Sequence, residues 1–136
     1  MSFLLNIHIF SSIWMTALIW VIQVVHYPVF MFIPQNKLKA FSEFHQRRIS
    51  LIVLPIMLIE LASLIVLNMM DLGNLVYSIA MVLLVIIWSA TFFLQVPCHQ
   101  QLLAGNKDPF AGRLIRTNWI RTLCWTFKTM LVCLYV

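Results

Sequence analysis

The chain has 136 residues, of which 62% are hydrophobic and only 10% charged, with a formal net charge of +5; soluble domains carry about 25% charged residues. A domain of this size leaves about a third of its unfolded surface exposed after folding, so a water-soluble fold could not hide so much apolar surface, and lipid is the better solvent. The cations are not interleaved with aromatics on a polar domain, which argues against nucleic acid as a partner and makes them topology signals.

Residues 3–25 contain no Lys, Arg, Asp or Glu. This run of ~23 residues is long enough to cross about 30 Å of hydrocarbon at 1.5 Å per residue. It is too long, and lacks the basic start, for a signal peptide, so it reads as a first span. Pro28 and Pro34 then punctuate the chain. Residues 36–48 are polar except at Leu38, Phe41 and Phe44. That spacing by three predicts a short interfacial helix between spans 1 and 2, or an extension of the next span, with Lys37 and Lys39 facing water. Residues 49–70 form the second span, interrupted by Glu60 and expected to kink at Pro55. Asp71-Leu72-Gly73-Asn74 reads as a tight turn. Residues 75–96 form the third span, which Pro97 is expected to end. The loop from Cys98 to Gly112 is rich in turn formers. The last span runs from about residue 114 to 136 and carries Arg116, Asn118, Arg121 and Lys128, so it cannot face lipid all round. The expected fold is all-α: an integral membrane four-helix bundle forming one domain over residues 1–136, with the lipid bilayer as its principal partner.

Loop 26–48 carries Lys37, Lys39, Arg47 and Arg48, and loop 97–116 carries Lys107, Arg113 and Arg116. The opposite side has Asp71 and, apart from Lys128 and the amino terminus, no basic group. The positive-inside rule therefore predicts a multi-pass protein of the inner (plasma) membrane with both long loops cytoplasmic and both termini outside. A weak internal repeat is also visible. Gln23-Val-Val-His26 ends the first span and Gln95-Val-Pro-Cys-His99 ends the third. A duplication of that kind would relate two hairpins about an axis along the membrane normal.

Each span carries a polar pair at helical spacing near its cytoplasmic end: Gln23 with His26, His45 with Arg48, Gln95 with His99, and Asn118 with Arg121. Four pairs at similar depth predict one shared site, with His45, Arg48 and Glu60 as a descending column on the second span. Glu60 lies ~12 residues, about 18 Å, below Arg48. An ionisable group at that depth either marks a functional pathway or holds two helices together as a protonated or paired residue. His8 stands apart near the outer end of the first span. The five tryptophans read as belt or packing residues.

Histidines with open positions can ligate haem iron, and histidine with carboxylate can hold other transition metals. His26 and His99 are therefore candidate ligands for haem b or a metal, with Gln95 beside them. Arg48 and Arg121 suit propionates, phosphates or carboxylates because the guanidinium offers paired donors. With Glu60 the only intramembrane carboxylate, a di-iron site is not expected. Cys98, Cys124 and Cys133 form no C-x-x-C and read as small buried hydrophobes, Cys98 lying next to His99.

The segments His26 to Phe30, Phe44 to Glu60, Leu94 to His99 and Arg116 to Trp125 together resemble a group of small four-span bacterial membrane proteins. More distantly, Arg47-Arg48 through Pro55-Ile56-Met57, with His26, resembles the HemJ-type protoporphyrinogen oxidases, which are small four-span proteins that bind haem b. This chain has Trp119 after Asn118, where those enzymes carry an acidic residue. Asn118 and Arg121 match the late Asn-x-x-Arg of anthrone-oxygenase-like membrane proteins. These resemblances imply a membrane oxidoreductase acting on a hydrophobic small molecule. In that reading His26 and His99 bind a cofactor, His45 assists proton transfer, Arg48 and Arg121 with Asn118 hold an anionic group, and Glu60 relays protons. The residues also leave open a small proton-coupled transporter, able to work as a homo-oligomer and coupled through Glu60, or a structural or accessory membrane subunit.

Overall fold

A computed structural model describes residues 2–135. The chain is all-helical among these residues and forms four rods. Three are long and apolar enough to cross a membrane: α1 over Phe3–Phe32, α2 over Gln35–Met70 and α3 over Leu75–Leu103. The fourth, α4, covers Phe110–Tyr135 and carries Arg113, Arg116, Arg121 and Lys128. Consecutive rods run antiparallel: the start of α1 meets the end of α2 through His8 and Ser63, and the start of α3 meets the end of α4 through Asn74 and Tyr135. α4 returns to pack on both α3 and α1, closing the ring, and α2 packs on α3 as well as on α1.

The links are short and tied down. Between α2 and α3, Gly73 takes φ 100°, a left-handed conformation that suits a residue without Cβ. Asn74 then caps α3, its Oδ1 accepting from the amides of Val76 (3.0 Å) and Tyr77 (3.3 Å). At the opposite end, Lys107 donates to the carbonyl oxygens of Met31 (2.7 Å) and Ile33 (3.0 Å), satisfying the end of α1. Lys107 is thus a helix-capping cation as well as a loop charge.

Residues 36–48 do not form a separate interfacial helix. Leu38–Met70 is one continuous α-helix of 33 residues that runs through Pro55. Leu38, Ser42 and His45 continue the buried face of the span below, so the polar segment is packed as an extension of it. Pro97 does not end α3 either. A π-helical turn at Thr91–Gln95 precedes it, and the helix resumes over Val96–Leu103. A π turn leaves one carbonyl without an amide partner, and there proline's missing N–H is tolerated. α1 uses the same device: a π turn at Ile22–His26, then Tyr27 and Pro28. The buried positions of α3 reveal the phase change, running Tyr77, Ala80, Leu84, Ile87, Ala90 and then stepping five to Gln95, Cys98 and Leu102.

The bundle is apolar outside, and inside it an apolar core encloses polar side chains. Its interior holds His8, Ser12, Gln23, His45, Glu60, Gln95, Asn118, Arg121 and Lys128. Its outer surface carries large apolar residues on every rod, among them Phe10, Leu58, Val85 and Phe127. Among the described residues, the charges other than Glu60, Arg121 and Lys128 fall within 37–48, within 107–116, or at Asp71. The three interior charges, Glu60, Arg121 and Lys128, therefore need local partners, because burying an unpaired charge costs several kcal/mol or more.

Candidate functional site

The polar pairs named above do meet at one end of the bundle. The π turn of α1 faces Gln23 inward, where its Oε1 accepts from Asn118 Nδ2 at 2.8 Å and its Nε2 donates to the Ile115 carbonyl at 3.1 Å. Asn118 Oδ1 in turn accepts from Arg121 Nη1 at 3.2 Å. The Arg121 guanidinium sits 5.1 Å above the Trp125 ring centroid and lies against the Tyr27 hydroxyl. Tyr27 is 3.1 Å from His99 Nε2. Tyr27 and His99 share one proton across that contact, and His99 Nδ1 has no protein partner. His45 stands between the other two imidazoles, its ring 4.5 Å from that of His26 and 5.2 Å from that of His99, and it is hydrogen-bonded to His26.

A cavity of about 220 Å³ opens between α2 and α3. Its mouth is formed by exposed Leu54, Phe92 and Val96, and its walls by Ile49, Val53 and Met57. Trp88, Gln95, His99 and Arg121 reach its depth. Each of these four presents a buried polar atom without a protein partner: Trp88 Nε1, Gln95 Oε1, His99 Nδ1 and Arg121 Nε. Gln95 is oriented by its own Nε2, which donates to Thr117 Oγ1 at 2.8 Å, so its free oxygen points away from that bond. Buried polar groups in folded proteins are nearly always paired, and four orphans in one cavity mark a place built for something else. A smaller cavity of about 130 Å³ lies on the other side of the imidazole stack, lined by His26, Phe41, His45 and Arg48; Ile49 lines both.

Two expected members stand elsewhere. Arg48 is exposed on α2, stacked on Phe44 at 5.4 Å, and lines the smaller cavity but not the larger one. Glu60 does not descend from the histidines but belongs to a second buried cluster. Its Oε1 is 2.7 Å from Lys128 Nζ and its Oε2 accepts from Trp125 Nε1 at 2.9 Å. Lys128 also donates to Ser12 Oγ at 2.6 Å, and both partners of the ion pair are fully buried. Ser63 donates to the Glu60 carbonyl and accepts from His8 Nδ1, both at 3.0 Å. Lys128 is thus an interior cation, not an outer-surface charge. Trp125 joins the two clusters, with Arg121 on its ring face and Glu60 at its N–H.

A haem or metal held by His26 and His99 does not fit these residues. His45 fills the space between the two rings, and their Nε2 atoms are engaged by His45 and Tyr27 respectively. Among the described residues, no three His, Cys, Asp or Glu side chains converge on a metal position. Fold and site together define a helical bundle with an apolar exterior and a side-opening polar cleft. No protein-family model, curated protein or solved structure matches the chain.

Four residues of these clusters escape a reading by motif: Tyr27, Trp88, His8 and Lys128. Tyr27 and Trp88 look like interfacial aromatics by composition. His8 and Lys128 had a usable signal, since His8, Ser12 and Thr16 form a polar stripe at i, i+4 on an otherwise apolar helix.

Proposed function

We propose that this chain is a four-span membrane protein that admits a lipid-soluble molecule through the cleft between α2 and α3 and exchanges protons with it there. The observation that carries this reading is the cleft itself: apolar walls reachable from the outside of the bundle, with four unpartnered polar atoms at its depth. Pockets that bind small molecules combine an apolar lining with a few convergent polar groups in this way. A fourth span is supported by α4, whose exposed face beyond Arg116 carries the apolar residues Trp119, Ile120, Leu123, Phe127, Met130 and Leu134. Its interior cations face the bundle, as intramembrane charges do. The gathering of exposed cations at the His26 end supports a cytoplasmic placement of that end.

The imidazoles give the cleft its chemistry. His99 touches the bound molecule's position, and His45 and His26 carry the line of imidazoles to the smaller cavity by Arg48. Groups able to take and return protons beside a water-poor cleft suit an oxidoreductase acting on a dihydroxy-aromatic, hydroquinone-type substrate. Its oxidation releases two electrons and two protons; a second molecule of the quinone class takes the electrons, and the imidazoles pass the two protons on to it. The transporter alternative rested on Glu60 as the coupling group, and the engagement of both its oxygens weighs against that role.

The test is recovery of the occupant. Protein purified in mild detergent and extracted with organic solvent is expected to yield a lipophilic compound at close to one per chain. Val53→Trp, which fills the cleft wall, is expected to lose it. Equal recovery from both proteins would overturn the reading.

A further inference from the structure

Resting on that reading, we infer that the cleft takes an amphiphile whose polar head is an anion, a carboxylate or phenolate class of lipid-soluble acid, with Arg121 as its counter-ion. Arg121 is 4% exposed and reaches the cleft, and its Nε has no partner. Among the described residues the sole ion pair is that of Lys128 with Glu60, so no carboxylate balances Arg121. The groups around it are neutral: Asn118 accepts one hydrogen bond, Tyr27 is a neutral phenol, and the Trp125 face supplies a quadrupole but no charge. A guanidinium in a low-dielectric interior without a counter-charge is the costly arrangement that an anionic ligand relieves.

Trp88 Nε1, a donor by its chemistry, also lines the cleft without a partner. Two unpartnered donors, Trp88 and Arg121, therefore stand beside one acceptor, Gln95 Oε1, and His99 Nδ1, which donates or accepts according to its tautomer. A buried cation with a second donor beside it selects an oxygen anion, and the acceptor suits a hydroxyl on the same ligand. The exposed apolar residues at the mouth, Leu54, Phe92 and Val96, leave room for a hydrocarbon tail to lie between α2 and α3.

The test compares a photoreactive long-chain carboxylic acid with the alcohol of the same chain, at pH 8.5, in nanodiscs of phosphatidylcholine. The acid is expected to label residues of the cleft, in the segments 49–57 and 88–99, and to half-saturate at least tenfold below the alcohol. Arg121→Gln is expected to bring the acid to the level of the alcohol, and Arg121→Lys to restore part of the difference. Acid and alcohol labelling alike in the wild-type protein would overturn the inference without any mutant, while leaving a lipid-soluble occupant in place. Labelling absent from the cleft with both probes would overturn the inference together with the reading beneath it. Adding phosphatidylglycerol separates the two sources of an anion. Loss of acid labelling assigns the site to a bilayer headgroup and overturns the free acid; undiminished labelling supports it.

Discussion

The two buried clusters use the same kinds of residue and solve opposite problems. Around Glu60, positive meets negative: Lys128 and Trp125 take the two carboxylate oxygens, and Ser12 takes a further lysine proton. Around Arg121 a cation stands without a carboxylate, and four polar atoms lie unpartnered in a cavity. In the first every charge is matched within the chain, with His8 Nε2 at its edge the one atom left over; in the second the cation itself lacks a counter-charge. Depth in the bundle therefore does not distinguish structure from function here. Satisfaction does, because a polar group left unpaired in a packed interior is retained only where it has another task.

The comparison breaks most visibly at Lys128. Lys128→Met leaves Glu60 with a buried charge and one indole bond, and removal of one partner of a buried pair typically costs about 3–5 kcal/mol. The loss is expected as a lowered midpoint in detergent-micelle unfolding. Replacing both partners, Glu60→Leu with Lys128→Met, is expected to recover most of that loss, since a well-packed apolar pair often matches a buried ion pair. A double variant no more stable than the single one would show that Glu60 and Lys128 are not acting as a pair.

A smaller effect is expected at the junction. Trp125→Phe keeps a ring beneath the Arg121 guanidinium but removes the N–H that reaches Glu60 Oε2. A hydrogen bond to a charged group is worth about 1.5–3 kcal/mol. Loss of that size in unfolding, with the amount of bound lipophile unchanged, would keep the two clusters energetically separate. A variant that also sheds the bound molecule would show that Trp125 transmits between them.

Much of this arrangement was legible beforehand, and the reasons for the rest are physical. Gln23, His26, His45, Gln95, His99, Asn118 and Arg121 could be grouped because helical spacing places each pair on one face, and polar faces in an apolar chain must meet. Spacing says nothing about which faces meet across the bundle. The pairing of Glu60 with Lys128 joins α2 to α4, which are not consecutive, and it converts an expected outer charge into an interior one. The π turns were hidden for a different reason. Pro28 and Pro97 read as stops when the helix is taken as uniformly α, yet the step from Ala90 to Gln95 in the buried pattern carries the extra residue. Arg48 was grouped with His45 because the two are three residues apart, but His45 faces inward and Arg48 lies far enough round the helix to be exposed and to miss the larger cavity.

The smallest change in stability is expected where the largest change in binding should occur. Arg121→Gln removes a donor from Asn118 Oδ1, and a typical hydrogen bond contributes about 0.5–1.5 kcal/mol. It also removes an uncompensated buried charge, whose desolvation opposes folding by several kcal/mol. The two terms have opposite signs, so the emptied protein is expected to unfold within about 1 kcal/mol of the wild type, or later than it. Lys128→Met, an equally buried loss of one cation in the same rod, has no such compensation because its charge is matched by Glu60. The pair of variants thus measures the counter-charge directly, by unfolding of ligand-stripped protein in the same micelle. If Arg121→Gln destabilises the stripped protein as much as Lys128→Met does, Arg121 is held by the chain itself and the cleft does not wait for an anion.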